Sequence, residues 1–292
     1  MRYPSAKVHD LFMPQSRGYG RFLAKHDAPV LAVEEAHKRG MEIYGWWRMN
    51  NYSLNVVPEF WKKHPEYHER GPDGKEIPKL CFAIPEVRRW KIEILKEVIE
   101  RGVDGIVLGV LRHPPMLNYH PVLTEGFKAK YGEEPPKLFE PPANPDEWTL
   151  KWLFYRAEFL TTLVRELRYE MERMKKGHLK LAVWIRPSCY LYDGVDLDTW
   201  LEEGLVHEVI VSAYRGDELP GPLELQKKIQ EKAEFHVEIL GTDTEEERIK
   251  SKIASYANRN VDGICIYESN LAVTRPLWRE LISKLWGEKR KE

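Results

Sequence analysis

The chain has 292 residues, with 45 Lys and Arg against 46 Asp and Glu and a formal net charge of -1. This mixed, almost neutral chain lacks the basic footprint of a nucleic-acid binder. Its three cysteines (Cys81, Cys189, Cys265) are odd in number and far apart, which fits neither a disulfide framework nor a CxxC metal site. No apolar run approaches the roughly 20 residues of a membrane span, and "MRYPSAKVHDLF" carries no apolar signal core. A cytoplasmic chain is therefore expected, with secretion open if the natural N-terminus is longer.

In chain order, residues 1–27 read as a loop with Gly, Pro and Arg, after which "APVLAVEEAHKRG" (28–40) places Val30, Val33, Ala36 and His37 on one helical face and stops at Gly40. "MEIYGWW" follows as a strand. A further short strand is expected at "KLCFAI" (79–84), then helix 85–102, strand "GIVLGVL", a long helix from "EWTLKWLF" to "MKKG" and strand "LKLAVWI". The remainder alternates helix "DLDTWLEEGL", strand "HEVIVSAY", helix "PLELQKKIQEKAE", strand "FHVEIL", helix "TEEERIKSKIASYANR", strand "DGICIY" and helix "RPLWRELISKLW". Alternating helices and largely apolar strands predict a parallel sheet covered by helices. No strand runs into a GxGxxG or P-loop, so a closed barrel is favoured over an open dinucleotide-binding sheet.

The expected fold class is thus α/β, a single (β/α)8-type TIM-barrel domain over residues 1–292. About six clear strands against the canonical eight, with no first strand evident, predict a barrel that is incomplete or trimmed at its N-terminus. An unfilled strand position exposes sheet edges, which favours a homo-oligomer. Asp104 and Asp262, in the echoing segments "VDGIVLG" and "VDGICIYE", stand at the N-terminal ends of their strands and are expected to be turn residues.

Barrel active sites are built at the C-terminal strand ends. Those ends supply Arg48, Arg112, Arg186 and Arg215, a set that suits a ligand with carboxylate, sulfate or phosphate groups. Trp46, Trp47, Trp184, Tyr190, Tyr192, Tyr214 and Tyr267 lie among them, with Asn50, Asn51 and Asn270. Rings of this kind stack on sugar faces while amides bond hydroxyls; Trp184 and Tyr214 are the expected stacking residues. Trp46 and Trp47 are consecutive on a strand, so they cannot both face the lumen.

Glycoside hydrolysis commonly needs two carboxyl groups. Glu268 ends an apolar run whose partial burial would suit a general acid, and Glu238 is the second strand acid. Each is weighed against a plain structural role, Glu268 as the ion-pair partner of a rim arginine. His113, beside Arg112, is a candidate proton-transfer group. The spacing of His64, His68, His113 and His120 matches no standard zinc motif, so neither metal nor cofactor is expected.

"AVEEAHKRGMEIYGWWRMNN" (32–51), "HPEYHERGPDGKEIPKLCFAIPEVRRW" (64–90) and "VDGIVLGVLRHPP" (103–115) together resemble the glycosyl-hydrolase-like family ten of barrel proteins. The resemblance covers residues 28–120 closely and the rest only as a barrel pattern. It implies a carbohydrate-active barrel with a saccharide ligand. It also implies a first strand upstream of Met1, and an Asp closing the DGI-x-L-D strand motif, where this chain has Gly109. Arg112 and Pro114 match that motif. Three explanations of Gly109 stay open: a sugar-binding pseudoenzyme, chemistry run by other acids such as Glu268, or a site reshaped for a different anionic ligand. The leading expectation is a glycoside hydrolase on an acidic or substituted saccharide, and the alternative is a non-catalytic sugar-binding barrel. A phosphate-ligand enzyme using "LGTDT" and "ESN" is weaker, because that region lacks glycine-rich turns.

Overall fold

The computed structural model describes residues 25–50, 57–212, 223–272 and 274–281, with the side chains of 270 and 271 excepted. Its elements are α1 (Ala28–His37), β1 (Tyr44–Trp47), α2 (Glu59–Lys63), β2 (His68–Arg70), β3 (Glu76–Leu80), α3 (Pro85–Ile99), β4 (Gly105–Gly109), α4 (Pro121–Tyr131) and α5 (Glu147–Arg173). They continue with β5 (Lys180–Ile185), α6 (Tyr190–Asp193), α7 (Leu197–Glu202), β6 (Glu208–Val211), α8 (Leu223–Gln230), β7 (Glu234–Leu240), α9 (Glu246–Asn258), β8 (Gly263–Tyr267) and α10 (Ser269–Ala272). The expected N-terminal loop lies outside the described residues up to position 24.

Two compact units are present: Met1–Val183 with Cys189–Val206, and Trp184–Ser188 with His207–Glu292. In the first, the strand order is β1-β4-β5, with β1 and β4 parallel and Trp46 level with Val107. In the second, the C-terminal end of β5 is followed by β6, β7 and β8, with β6–β7 and β7–β8 parallel. Helices alternate with these strands as in a (β/α) barrel, and six of a barrel's eight strands lie among the described residues.

The "KLCFAI" expectation is corrected. Residues 76–80 pair antiparallel with β2 in a separate two-stranded hairpin, and Cys81–Ile84 lead without strand structure into α3. Leu80, level with His68 in that hairpin, is also bonded by Asn50, with Asn50 Nδ2 donating to Leu80 O at 2.8 Å and Leu80 N–H donating to Asn50 Oδ1 at 3.1 Å. Helix α4, absent from the sequence reading, starts at Pro121 and ends at Gly132, whose φ of 86° is a left-handed cap.

The first unit's core is organised by the 27-residue α5. Asp146 caps it by accepting from Thr149 N–H at 2.7 Å, and its inner face buries Trp152, Leu153, Leu160, Leu163, Val164 and Leu167. Arg88 of α3 reaches α5 through Glu166 at 2.8 and 2.9 Å, and also donates to Phe82 O and Ala83 O, so its buried guanidinium is paired. Asp104 and Asp262 behave alike. Asp104 Oδ2 accepts Ile43 N–H at 2.8 Å and Asp262 Oδ2 accepts Phe235 N–H at 2.8 Å, which ties each strand's start to its neighbour. In the second unit, Ile239, Ile249, Ala272, Trp278 and Leu281 form a cluster, and Trp278 Nε1 donates to Asp243 O at 3.0 Å.

The first unit also buries a carboxyl group. Glu69 on β2 is fully enclosed, and burial pushes its pKa from 4.5 up to about 7, against the lowering pull of its hydrogen bonds and of Lys79 and Arg156. The folded state therefore keeps a proton that the unfolded chain releases above pH 4.5, so this contribution to stability is full below that pH and is lost as pH rises to about 7. Denaturant unfolding from pH 4.5 to 7 should show a decline of up to ~3 kcal/mol that Glu69→Gln removes. Parallel pH profiles of the two proteins would refute this assignment.

Candidate functional site

The first unit brings together three of the expected site residues. β1 delivers Trp46 and then Arg48, while β4 ends at Gly109 and runs into Arg112 and His113. Alternation separates the two tryptophans: Trp47 packs edge-on against Phe82 with ring centres 6.3 Å apart, whereas Trp46 is 39% exposed. The guanidinium carbons of Arg48 and Arg112 each lie 5.7 Å from the Trp46 ring centre. Burial first, and then the Arg112 charge, lowers the pKa of Arg48, the expected effect of two cations facing one indole.

Gly109 is explained by this indole. A Cβ at position 109 would lie 2.6 Å from Trp46 Nε1 and 2.9 Å from Trp47 O. The ring thus occupies the space that a side chain closing β4 would need. Introducing Gly109→Ala or Gly109→Asp should cost about 1–3 kcal/mol in denaturant unfolding and shift Trp46 emission. A variant as stable as the parent, with unchanged emission, would mean that the indole does not depend on the glycine.

His113 takes a left-handed backbone, with φ of 55°. Its pKa is lowered, mainly by burial and then by the charges of Lys79, Arg48 and Arg112. Three cations therefore act on one imidazole, which favours its neutral form. NMR titration should place His113 below the ordinary 6.5, and Lys79→Met should move its midpoint upward more than Arg112→Gln does. A midpoint unmoved by either substitution would show that these charges do not reach the ring.

Several expected contributors serve elsewhere. Asn50 is 1% exposed and spends both ends of its amide on Leu80, so it is a backbone link rather than a reader of hydroxyls. In the second unit, Trp184 is 7% exposed, donates its indole N–H to Glu238 Oε2 at 3.0 Å and meets Tyr267 edge-on at 5.6 Å. It packs in the interior and orients Glu238, instead of offering a free stacking face. Glu238 is itself buried, and the thiol of Cys265 is pushed up to about 12, first by burial and then by the Glu238 charge. Glu268 is exposed, in the left-handed region with φ of 58°, so the partial burial expected of it is not found. Arg186 is half-buried within the second unit. Tyr214 and Arg215 lie outside the described residues, as does Asn51; the backbone of Asn270 belongs to α10.

Two other histidines have structural duties. His68 Nδ1 meets Glu76 Oε1 at 2.9 Å and its Nε2 meets Trp61 O at 2.8 Å. His120 Nδ1 accepts Val122 N–H, which assigns the proton to the Nε2 that bonds Glu66 O. Among the described residues, no three His, Cys, Asp or Glu side chains gather as a metal site would require. None of the described helices is long and apolar enough to cross a membrane.

The sequence reading passed over Lys79, Lys91 and Arg156. Burial lowers the pKa of Lys91 to about 7 and that of Lys79 to about 8. Lys91 Nζ donates to Met49 O at 3.0 Å, beside Arg48. For Arg156 a signal was present: it shares the apolar face of α5 with Trp152, Leu153 and Leu160, where a charge is out of pattern.

Alternating strands and helices, with cationic and aromatic side chains gathered at C-terminal strand ends, define an α/β protein of the barrel class. The chain belongs to the glycosyl hydrolase-like 10 family, whose model matches residues 18–240. None of the curated proteins matches it. Among solved structures it is similar to an alpha-galactosidase from Thermus thermophilus in complex with p-nitrophenyl alpha-D-galactopyranoside, with 12% identity, 87% of this chain covered and a TM-score of 0.46. It spans 49% of that chain's length. It is also similar to the glycoside hydrolase domain of PelA from Pseudomonas aeruginosa, with 10% identity over 83% of this chain and 84% of that one and a TM-score of 0.47. A third is an alpha-amylase from H.orenii, with 14% identity over 82% of this chain and 52% of that one and a TM-score of 0.43. Likenesses this distant bear on neither activity nor substrate.

Proposed function

We propose that this member of the family is a carbohydrate-active protein that binds an anionic saccharide at the ends of β1 and β4. The observation that carries the reading is Trp46, partly exposed, with the guanidinium groups of Arg48 and Arg112 each 5.7 Å from its ring centre. An indole offers apolar surface to a pyranose ring, and guanidinium groups pair with carboxylate or sulfate substituents. His113, biased toward its neutral form by burial and then by nearby cations, would exchange hydrogen bonds with a hydroxyl in this reading. Gly109 fits this reading, because the volume a family acid would take is given to the indole.

The retained-hydrolase reading is favoured by one observation, the left-handed backbone of Glu268 directly after β8. Non-glycine residues held in that region cluster at functional sites. In this second reading Glu268 is the acid/base, and the buried, indole-bonded Glu238 supports the site without touching the glycosidic bond.

Titration calorimetry with uronic-acid and sulfated oligosaccharides tests the binding reading. At least one should bind, and Trp46→Ala, Arg48→Gln and Arg112→Gln should each weaken it by about tenfold or more. Absence of binding by the whole panel would overturn the proposal. Turnover of any of these sugars that is abolished by Glu268→Gln would establish the hydrolase reading.

A further inference from the structure

Five consecutive residues after the strand end, Pro115 to Tyr119, have no regular secondary structure, yet each has a backbone group held from outside. Lys79 Nζ donates to Pro115 O at 3.0 Å, and Met116 N–H donates to Asp193 O at 2.9 Å. Arg156 Nη1 donates to Leu117 O at 2.8 Å, Asn118 N–H donates to Glu69 Oε1 at 3.2 Å, and Tyr119 N–H donates to Arg70 O at 2.9 Å. The grips come from the β2–β3 hairpin, α5 and α6, all within the first unit.

This arrangement is costly. Glu69 and Arg156 are almost wholly enclosed and Lys79 is largely so, and burying ionisable groups stabilises a fold less than apolar packing of equal volume. Glu69 Oε2 and Arg156 Nε are enclosed without hydrogen-bond partners. What the groups supply is geometric: an irregular backbone cannot satisfy its own peptide groups, so donors and acceptors must reach it from elsewhere. The segment they hold begins two residues after His113 and three after Arg112. We infer that Glu69, Lys79 and Arg156 are positioning residues that fix the Pro115–Tyr119 segment and, through it, the aim of Arg112 and His113 at the anionic ligand.

The inference deepens the binding proposal and rests on it for its ligand. None of the three residues touches the Trp46 ring in the contacts described above; they act through the backbone, Lys79 also through its charge on His113, so Glu69→Leu is the variant that isolates the backbone route. Removing one should loosen the segment while the remaining hydrogen bonds and the α5 core keep the unit folded.

Two measurements on the full chain separate this inference from the binding proposal. The first, native hydrogen exchange by NMR, needs no ligand. Met116 and Asn118 amides should exchange about tenfold or more faster in Lys79→Met and Glu69→Leu, while amides in the middle of α5 keep their parental rates. Lys79→Arg and Glu69→Gln, which keep a donor and an acceptor, should restore protection to within about threefold.

The second measures affinity for whichever uronic-acid or sulfated oligosaccharide binds the parent. Lys79→Met and Glu69→Leu should weaken it about tenfold, with recovery in the two conservative variants. Parental exchange at Met116 and Asn118 in both disruptive variants would overturn the inference. So would loosening of the segment with affinity unchanged. If no oligosaccharide binds the parent, the binding proposal fails, and the exchange data alone decide whether these residues hold the segment. If a disruptive variant unfolds, Arg156→Lys, which shortens the reach to Leu117 O, takes its place with the same expected outcomes.

Discussion

Peptide groups that leave a strand still need partners, and the strand ends of the first unit are shaped by how that need is met. Where β1 ends, Lys91 donates to Met49 O and Asn50 exchanges two hydrogen bonds with Leu80. Beyond β4, the Pro115–Tyr119 run is held by Lys79, Arg156 and Glu69 together with two backbone groups. Arg48 is adjacent to one of these anchored stretches, and Arg112 and His113 are close to the other. The same low-dielectric interior that pushes these lysines and Glu69 toward their neutral forms also strengthens the hydrogen bonds they make.

The ligand side of the same region follows from a trade of volume. Without a Cβ at Gly109, an indole lies against the strand backbone, where side chains at most positions would forbid it. That ring faces both arginines, and burial first and then the Arg112 charge lower the pKa of Arg48. The glycine at 109 and the cationic, aromatic surface beside it are thus linked through the volume that the indole takes.

The fold was largely legible because periodicity and strand apolarity reflect burial on both sheet faces, as the runs "GIVLG" and "KLAVWI" illustrate. The hairpin was not: the short strand was expected at "KLCFAI", whereas the residues that pair are "EIPKL", which carry a proline and pair only locally. At the site, Arg48, Arg112 and His113 could be read from their places after strands. Asn50 and Trp184 were misread for a common reason. Both types bond sugars when exposed, and only tertiary contacts reveal that their polar atoms are already committed to Leu80 and Glu238. Glu69 and Lys79 left no sequence signal strong enough to separate them from surface charges, since only tertiary contacts, among them those to Asn118 and Pro115, reveal their burial.

The hairpin also matters for how such a protein can diverge. Two of the side chains that grip the loop after β4 come from a ribbon whose strands, among the described residues, pair with each other and with none of the parallel strands. Changes in the length or composition of that ribbon can therefore re-aim the loop while the parallel sheet keeps its own pairing. The ribbon is an adjustable part that joins the scaffold by side-chain links such as Asn50 to Leu80 and not by strand pairing.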